Sequence, residues 1–363
     1  MQSSSRSFAA ATRAPFGRTA GGEPVEVVTL RAASGVQVRI LTLGAAIQSV
    51  LAPDRAGSLA DVALGFADLS GYLDQSAYIG VTVGRVANRI AGGRFTLDGI
   101  ARVVPVNDGP NSLHGGHAGL DRRVWEIVTL TDGPAPGVTL RCVSPDGDQG
   151  YPGELTATAV YSLSADGVLS LEYAATTDRP TLVNITSHAY WNMAEEGASA
   201  GAMGNLLTLH AAEYLPTDRS AIPTGEFRSV DGGPFDFRRP TPVGLRVRDA
   251  SDEQIALGKG YDHCWVVSRE PTPELRPIAR LEDPVSGRAM ELWSDQPGVQ
   301  MYSGNFLDGS SAGKSGRLYR QGDAVVLEPQ MFPDTPNQPA FGSIRLDPGQ
   351  VYRNRIRFRF FTC

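Results

Sequence analysis

The sequence has few cysteines and no long apolar run. Its three cysteines, Cys142, Cys264 and Cys363, show no C-x-x-C spacing, and their odd number argues against a disulfide framework. No stretch reaches the roughly 18 uninterrupted apolar residues that a membrane-spanning helix needs. These absences predict a protein of a reducing compartment without a membrane span, and we expect a cytoplasmic location.

The chain also lacks an excess of positive charge. Its 33 basic and 39 acidic residues give a formal net charge of -6, and a field of that sign repels nucleic acid. The composition therefore disfavours a nucleic-acid partner and favours a small neutral substrate. Hydrophobic residues make up 41% of the chain and charged residues 20%, values typical of a soluble globular protein.

The start of the chain has no apolar segment that would act as a secretion signal. Residues 1–22 are polar and contain several serines and arginines, so we expect a flexible N-terminal segment. No repeat of fixed period and no long linker divides the remainder. We therefore expect one domain over residues 23–363.

Glycine and proline are abundant enough, at 41 and 25 residues, to punctuate many short segments. Apolar and polar residues alternate over 36–40 and 169–173, and again over 353–360, where four arginines form one face. This period predicts half-buried strands, with the arginines on a solvated outer face. Helical patterns are short, near 68–73 and 249–257. The sequence thus predicts an all-β protein, a large antiparallel β-sandwich with few short helices, whose loops carry the chemistry.

One histidine and one glutamate stand out as a candidate acid and base. His188 lies among hydrogen-bonding and aromatic side chains in residues 184–192, and an unperturbed imidazole pKa of about 6.5 suits proton transfer near neutrality. Glu328 ends the apolar run 324–327. One acid and one base are the minimum for moving two protons on a bound substrate.

Three further segments carry polar groups suited to holding a ligand. Asn88 and Arg89 follow a predicted strand and offer donors in planar geometry, although a surface ion pair of the arginine is a competing interpretation. Asp262 begins an apolar strand, where it would accept from two vicinal hydroxyls or cap a turn. His263 faces the other side of that strand and is predicted to be structural. Gln300 fits a pocket wall or a plain edge strand equally well.

Two motifs suggest a metal site and a phosphate-binding loop, but the spacing of their residues supports neither. His114 precedes a glycine pair that lets backbone approach a ligand, and His117 completes an H-x-x-H spacing. No cysteine or acidic cluster accompanies them, so a metal site is disfavoured. Residues 313–315 look like the end of a phosphate-binding loop, but Asp308 stands where that loop requires glycine.

Six segments, in this order, resemble the aldose 1-epimerase (galactose mutarotase) family, and together they span nearly the whole chain. The last one contains the block Glu-x-x-x-Phe-Pro-Asp-x-Pro-Asn, which is specific. The segments are residues 84–90, 111–116, 184–192, 261–265, 300–306 and 327–337.

This resemblance implies a galactose-mutarotase-like β-sandwich with a sugar cleft and with no metal or organic cofactor. It also implies that Glu328 is the general base and His188 the general acid, with His114 assisting at the ring oxygen or a neighbouring hydroxyl. The implied sugar-holding residues are Asn88, Arg89, Asp262 and Gln300, with Tyr190 on the same wall.

The chain departs from the family pattern beside the acid. Ser187 stands where the family commonly has Asn, Ala189 where it has Ser, and Trp191 where it has Phe. These changes leave His188 in place, so they bear on sugar preference rather than on the reaction.

The expected reaction needs one proton acceptor and one proton donor. An aldopyranose changes anomer by opening its hemiacetal and closing it on the other face. Glu328 would accept the proton of the C1 hydroxyl, and a protonated His188 would give one to the ring oxygen. Attraction between the two charges favours this ionised pair, whereas burial opposes both charges.

Three alternatives stay open at this stage. A hexose-6-phosphate epimerase of the same fold would need clustered cations, for which Arg89 is one candidate. A non-catalytic carbohydrate-binding protein would have little use for both His188 and Glu328. A glycosidase would use two carboxylates, such as Asp262 and Glu328. The expected partner is a small aldose, with no nucleic acid or membrane, and the expected state is a monomer or a homodimer.

Overall fold

Short strands joined by tight turns make up much of the chain, as the alternating sequence pattern predicts. A computed structural model describes residues 9–363. The strands, numbered in chain order, are β1 Ala10–Arg18, β2 Pro24–Arg31, β3 Gln37–Leu41, β4 Ile47–Pro53, β5 Leu59–Asp61, β6 Thr82–Val83, β7 Arg89–Ile90, β8 Arg94–Leu97, β9 Ile100–Val103, β10 Ser112–Leu113, β11 Glu126–Thr131, β12 Gly137–Ser144, β13 Leu155–Leu163, β14 Val168–Thr177, β15 Thr181–Leu182, β16 Thr186–Ser187, β17 Tyr190–Trp191, β18 Leu206–Leu209, β19 Glu213–Leu215, β20 Arg228–Ser229, β21 Thr241–Pro242, β22 Asp262–Val266, β23 Arg276–Glu282, β24 Arg288–Ser294, β25 Gly298–Tyr302, β26 Asp308–Ala312, β27 Leu318–Arg320, β28 Val325–Gln330, β29 Arg345–Leu346 and β30 Tyr352–Thr362.

Three sheets of antiparallel strands form the body of the molecule. Their strand orders are β1-β2-β3-β4-β5, β17-β28-β25-β22-β19-β20 and β11-β12-β13-β14-β30-β24-β23-β18-β21. One cluster of buried apolar side chains takes members from all three sheets, for example Val38, Leu171 and Met301. The sheets therefore pack around a shared core, and the predicted all-β antiparallel sandwich is confirmed.

The last strand shows how the sequence period sets the layers. In β30, Phe358 is buried in the core, whereas the alternating arginines lie on the outer face. Arg353 pairs there with Glu172 of β14, and Arg359 pairs with Glu291 of β24. The solvated arginine face predicted from the sequence is confirmed.

Two α-helices in the described chain, each six residues long, lie where the short helical patterns predict them. They are α1 Leu69–Asp74 and α2 Glu253–Gly258. Asp68 and Asp252 cap them by accepting hydrogen bonds from amides of the first turn. Neither helix is long and apolar enough to cross a membrane. Short 3-10 turns cover Ala91–Gly93, Leu120–Arg122, Asp148–Gly150, Val243–Leu245, Thr335–Asn337 and Pro339–Phe341.

The N-terminal segment is paired over much of its length. Ala10–Arg18 form the edge strand β1, and its pairing with β2 runs from Ala10 opposite Arg31 to Arg18 opposite Pro24. The prediction of a flexible segment over residues 1–22 is wrong for this strand, because backbone hydrogen bonds to β2 hold it in place. The first eight residues of that segment lie outside the described part of the chain.

The six-stranded sheet has one face on the core and presents polar residues on the other. Along β28, Leu327 belongs to the core cluster, so its neighbour Glu328 faces the opposite side. The strand register places Gln300 of β25 opposite Glu328, and Asp262 of β22 opposite Tyr302 of β25. Polar groups thus meet on a sheet that is packed from behind, which holds them rigidly.

Candidate active site

A cavity of about 240 Å³ lies on the polar face of the six-stranded sheet. Its volume is just below the range of about 300 to 1,000 Å³ that is usual for drug-sized ligands, so it suits a ligand the size of a monosaccharide. The lining includes seven of the eight residues that the sequence predicts, which are Asn88, Arg89, His114, His188, Tyr190, Asp262 and Glu328.

The candidate acid and base meet in this cavity. His188 follows β16 and Glu328 lies in β28, and Nε2 of His188 is 3.7 Å from Oε1 of Glu328. The two side chains are 7% and 2% exposed, so both are nearly sealed from solvent. The separation is longer than a direct hydrogen bond. It places the two groups where they can act on two oxygens attached to one carbon.

Burial sets the charge of this pair. It lowers the pKa of His188 from 6.5 to about 4. It raises the pKa of Glu328 well above 4.5, and Asp262 adds to the rise while Arg89 opposes it. Both shifts favour the uncharged form of the group concerned. The sequence left open whether attraction or burial prevails, and the structure favours burial.

A backbone hydrogen bond fixes the tautomer of His114. The amide N–H of Asn88 donates to Nδ1 of His114 at 3.1 Å, so the proton of the neutral ring lies on Nε2. Burial lowers the pKa of His114 well below 6.5, and His188 and Arg89 add to the effect. His114 is therefore a neutral donor, and its ring centroid is 5.1 Å from that of His188.

Close backbone packing holds the loop that carries this histidine. His114 has a φ of 52°, and the next residue, Gly115, has a φ of 90°. A Cβ on Gly115 would lie 2.0 Å from the carbonyl oxygen of Gly84, so the position requires glycine. The glycine after His114 thus lets this loop lie against the loop that carries Asn88.

The same tautomer bears on metal binding. Ligand atoms of His114, His188 and Glu328 lie within 4.8 Å of one another, a spacing compatible with an ion. Ligation through Nε2 of His114 needs a lone pair on that atom, but the Asn88 amide directs the ring proton to it. These side chains therefore suit hydrogen bonding to hydroxyl groups better than they suit a metal.

Arg89 lies between two carboxylates of the cavity. Its Nε is 2.7 Å from Oδ2 of Asp108, and its Nη1 is 3.6 Å from Oδ2 of Asp262. Burial opposes the guanidinium charge, but the two carboxylates outweigh it and raise the pKa of Arg89. Oδ1 of Asp262 also accepts a hydrogen bond of 2.7 Å from Nε2 of Gln300. Asp262 is therefore held from two sides.

Gln300 and Tyr190 both use their polar groups to hold other parts of the protein. Gln300 does not line the cavity, and Nε2 of its amide instead donates to Asp262. The structure therefore corrects the placement of Gln300 on the pocket wall. Tyr190 does line the cavity, but its hydroxyl donates to the carbonyl oxygen of Ala77 at 2.7 Å. It anchors the loop before β6 and offers the cavity its ring.

Sequence reasoning missed several lining residues, among them Tyr78, Asp108, Tyr302 and Phe306. Tyr78 has a φ of 56°, and its ring meets that of His114 edge-on with centroids 4.7 Å apart. The rings of Tyr302 and Phe306 stack with centroids 6.1 Å apart. Tyr302 shares a strand face with Gln300, so the period of two carried a usable signal. Tyr78 and Asp108 lie in irregular segments that carry none.

The three positions that depart from the family pattern do not line the cavity. Ser187, Ala189 and Trp191 are buried, and Trp191 packs against Phe358 and Phe360. His188 and Tyr190 line the cavity, whereas the side chains at 187, 189 and 191 do not. The three departures therefore contribute no side chain to the described cavity lining.

The chain matches known proteins along nearly its whole length. The family model described as aldose 1-epimerase matches residues 26–359. The galactose mutarotase of Mus musculus is 42% identical over 350 residues, which cover 96% of this chain and 98% of the relative. The aldose 1-epimerase of Escherichia coli strain K12 is 35% identical, with 94% of this chain and 96% of the relative covered.

Solved structures share the fold. An aldose epimerase homologue from C. elegans has a TM-score of 0.84 at 31% identity, and the match covers 93% of this chain and 98% of the other. Galactose 1-epimerase from Lactobacillus acidophilus has a TM-score of 0.84 at 26% identity, with 98% and 99% covered. The similarity thus extends to the arrangement of the sheets.

Proposed function

The chain belongs to the aldose 1-epimerase family, and we propose that it interconverts the α and β anomers of hexoses such as galactose and glucose. The observation that carries the mechanism is the placement of His188 and Glu328, 3.7 Å apart, in a cavity of monosaccharide size. The names of the relatives from Mus musculus and Lactobacillus acidophilus support galactose as a substrate. The enzyme is an isomerase.

The reaction moves two protons in opposite senses. Ring opening removes a proton from the C1 hydroxyl, breaks the bond between C1 and the ring oxygen, and adds a proton to that oxygen. Rotation about the C1–C2 bond and closure on the other face return both protons. A pair that holds one proton can accept at one group while it donates from the other, in either direction. We assign Glu328 as the base of ring opening and His188 as the acid.

Burial of His188 and Glu328 favours the open-chain intermediate of the reaction. Once Glu328 has accepted the hydroxyl proton and His188 has donated its own, Glu328 is protonated and His188 is neutral. This is the protonation state that burial stabilises. The cavity therefore lowers the free energy of the open-chain complex relative to the cyclic complexes, in which the pair is ionised. Attraction at 3.7 Å offsets part of the cost of that ion pair.

We assign sugar binding to Asn88, Arg89, Asp262 and His114. Asp262 accepts hydrogen bonds from hydroxyl groups and Arg89 donates them, so a vicinal diol can bridge the two side chains. His114 donates through Nε2, the atom that the Asn88 amide leaves protonated. Gln300 acts indirectly, because it orients the Asp262 carboxylate.

The charge of the cavity favours a neutral sugar over a phosphorylated one. Among the described lining residues, the carboxylates of Asp108 and Asp262 face a single guanidinium, that of Arg89. A 6-phosphate would bring further negative charge to this wall, where like charges repel. The hexose-6-phosphate alternative thus finds no support in the described lining.

The activity can be tested by polarimetry with freshly dissolved α-galactose and α-glucose in buffer that contains a metal chelator. Acceleration of both supports the proposal. Faster turnover of galactose 6-phosphate would favour the phosphosugar alternative, and sugar binding without acceleration would identify a carbohydrate-binding protein. Release of a sugar from a glycoside would favour a glycosidase. A cytoplasmic location, a single domain over residues 23–363 and a monomeric or homodimeric state remain predictions.

A further inference from the structure

Gln330 lies two residues beyond Glu328 on β28, and its amide finds no hydrogen-bond partner among residues 9–363. The side chain is fully buried, and both Nε2 and Oε1 are sealed from solvent. A buried polar group without a partner destabilises the fold, so native interiors rarely leave a whole amide unsatisfied. We therefore expect the Gln330 amide to have a specific hydrogen-bond partner.

The strand register places this amide beside the carboxylate of Glu328. Side chains two residues apart on a strand share a face, so Gln330 lies on the same face as Glu328. The residue opposite Gln330 is Gly298, which has no side chain. Cys264 and Phe332 pack over it, since a Cβ there would lie 2.7 Å from Sγ of Cys264 and 3.0 Å from the Phe332 ring. That side of the amide is apolar.

Two neighbouring acceptors on this face are also unsatisfied. Oε2 of Glu328 and Oε1 of Gln300 are buried and have no partner among the described residues. Gln300 lies directly opposite Glu328 on β25. Oε2 of Glu328 and Oε1 of Gln300 require hydrogen-bond donors, and Nε2 of Gln330 is such a donor. The unmatched acceptors and the unmatched donor thus occupy adjoining positions of one sheet face.

We propose that Gln330 is a positioning residue for Glu328, whose Oε2 receives the amide N–H of Gln330 through one internal water molecule. A single water can join polar groups that are too far apart for a direct bond, and buried waters are usually held by about three such groups. A donor at Oε2 stabilises the ionised carboxylate, which is the form that accepts the hydroxyl proton. It also holds Oε1 toward His188. The catalytic meaning rests on the proposed function, but the hydrogen-bonded link does not.

Other charged and titratable groups face Glu328 from the neighbouring elements. They are Arg89, His114, His188, Tyr190, Asp262, Cys264 and Tyr302. A substitution at Gln330 changes none of these groups. A shift in the pKa of Glu328 after such a substitution therefore reports on the amide.

The decisive variant is Gln330→Met, which keeps the length and burial of the side chain but removes the donor. The pKa of Glu328 is measured by carboxyl ¹³C NMR titration of protein labelled at glutamate, and its signal is assigned by its loss in Glu328→Gln. We expect the proton affinity of Glu328 to rise about tenfold, because the ionised form loses a hydrogen bond. The pH profile of anomerisation should move to higher pH by the same factor.

Gln48→Met is the matched control. Gln48 is also a buried glutamine, its Nε2 donates to the carbonyl oxygen of Phe66, and it does not line the cavity. We expect no change in the pKa of Glu328 in this variant. A merely structural role of Gln330 would lower activity or stability without moving the pH profile.

An unchanged pKa of Glu328 in folded Gln330→Met would overturn the proposal. If that variant does not fold, a high-resolution crystal structure of the unmodified protein decides, because it must show a water in contact with both Nε2 of Gln330 and Oε2 of Glu328. A wild-type protein that accelerates no anomerisation would refute the proposed function while the NMR titration still tests the link. Activity lost in Glu328→Gln together with an unmoved pKa in Gln330→Met would refute the link alone.

Discussion

Nε2 of His188 lies 3.7 Å from Oε1 of Glu328, and the burial that brings them together favours the neutral form of each. The reaction in turn needs one of them charged as a base and the other charged as an acid. Ring opening of the sugar converts the ionised pair into the neutral one, because Glu328 accepts a proton from the C1 hydroxyl and His188 donates one to the ring oxygen. Catalysis here depends on a pair that shares one proton.

The rate of anomerisation should follow a bell-shaped pH profile. At low pH the pair holds two protons and lacks a base, and at high pH it holds none and lacks an acid. Burial lowers the pKa of His188 to about 4, so the acid limb should lie near that value. Burial raises the pKa of Glu328, so the alkaline limb should lie well above the usual range of a glutamate. Polarimetric kcat/KM across the pH range checks both, and an acid limb at 6.5 would contradict the burial argument.

Asp262→Asn should move this profile to lower pH and raise KM. The Asp262 carboxylate raises the pKa of Glu328, so its neutral replacement lowers that pKa. KM should rise about tenfold, because a hydroxyl group loses a charged acceptor. Asp108→Asn is the control, since Asp108 also pairs with Arg89 and lines the cavity. It should raise KM without moving the profile, and equal shifts in both variants would contradict the assignment.

His263→Gln should make stability less sensitive to acid. Nδ1 of His263 accepts from the amide of Asp262, its Nε2 lies 3.2 Å from Oε1 of Gln254, and burial lowers its pKa to about 3. Between pH 6.5 and this value the unfolded chain binds a proton that the folded chain does not. The free energy of unfolding therefore falls as the pH falls, by up to about 1.4 kcal/mol per pH unit from this group.

Urea denaturation at neutral pH and midway between those two pKa values measures this effect. His263→Gln should remove that part of the slope. His117→Gln is the control, because His117 is exposed. An unchanged slope in His263→Gln would show that His263 gains its proton in the folded state as readily as in the unfolded one.

Arg85→Met should strongly destabilise the protein. The Arg85 guanidinium is buried and donates to four main-chain carbonyl oxygens, which belong to Ser144, Pro145, Pro152 and Gly153. Each acceptor left unpaired costs about 1 to 3 kcal/mol, so the free energy of unfolding should fall by at least about 3 kcal/mol. Arg357→Met on the exposed face of β30 should change it by less than about 0.5 kcal/mol. Similar urea midpoints for the two variants would contradict this role of Arg85.

Local sequence patterns predict most elements of the fold. The strand period predicts β30 with its two faces, and aspartates before short helical patterns mark the starts of α1 and α2. The edge strand β1 escapes prediction because Ala10–Arg18 shows no alternation, and its exposed residues owe their conformation to pairing with β2.

The site residues likewise fall into those that local sequence signals predict and those that depend on the assembled sheets. Segments that combine polar groups with strand ends predict six of the lining residues, since turn and strand signals are local, and the family resemblance adds Tyr190. Gln300 is misplaced because its hydrogen bond to Asp262 depends on the register of β22 and β25. The protonation of His188 and Glu328 depends on burial, which is a property of the assembled sheets.

The most direct test measures exchange between the anomers of galactose by NMR for the wild-type protein, Glu328→Gln and His188→Gln. We predict that the wild type accelerates the exchange without any cofactor, and that each variant loses about 10² to 10⁴ of the rate while it keeps its circular dichroism spectrum. The double variant should lose little more than the worse single variant, because the two groups act as one unit. Near-wild-type exchange by either single variant would contradict the account.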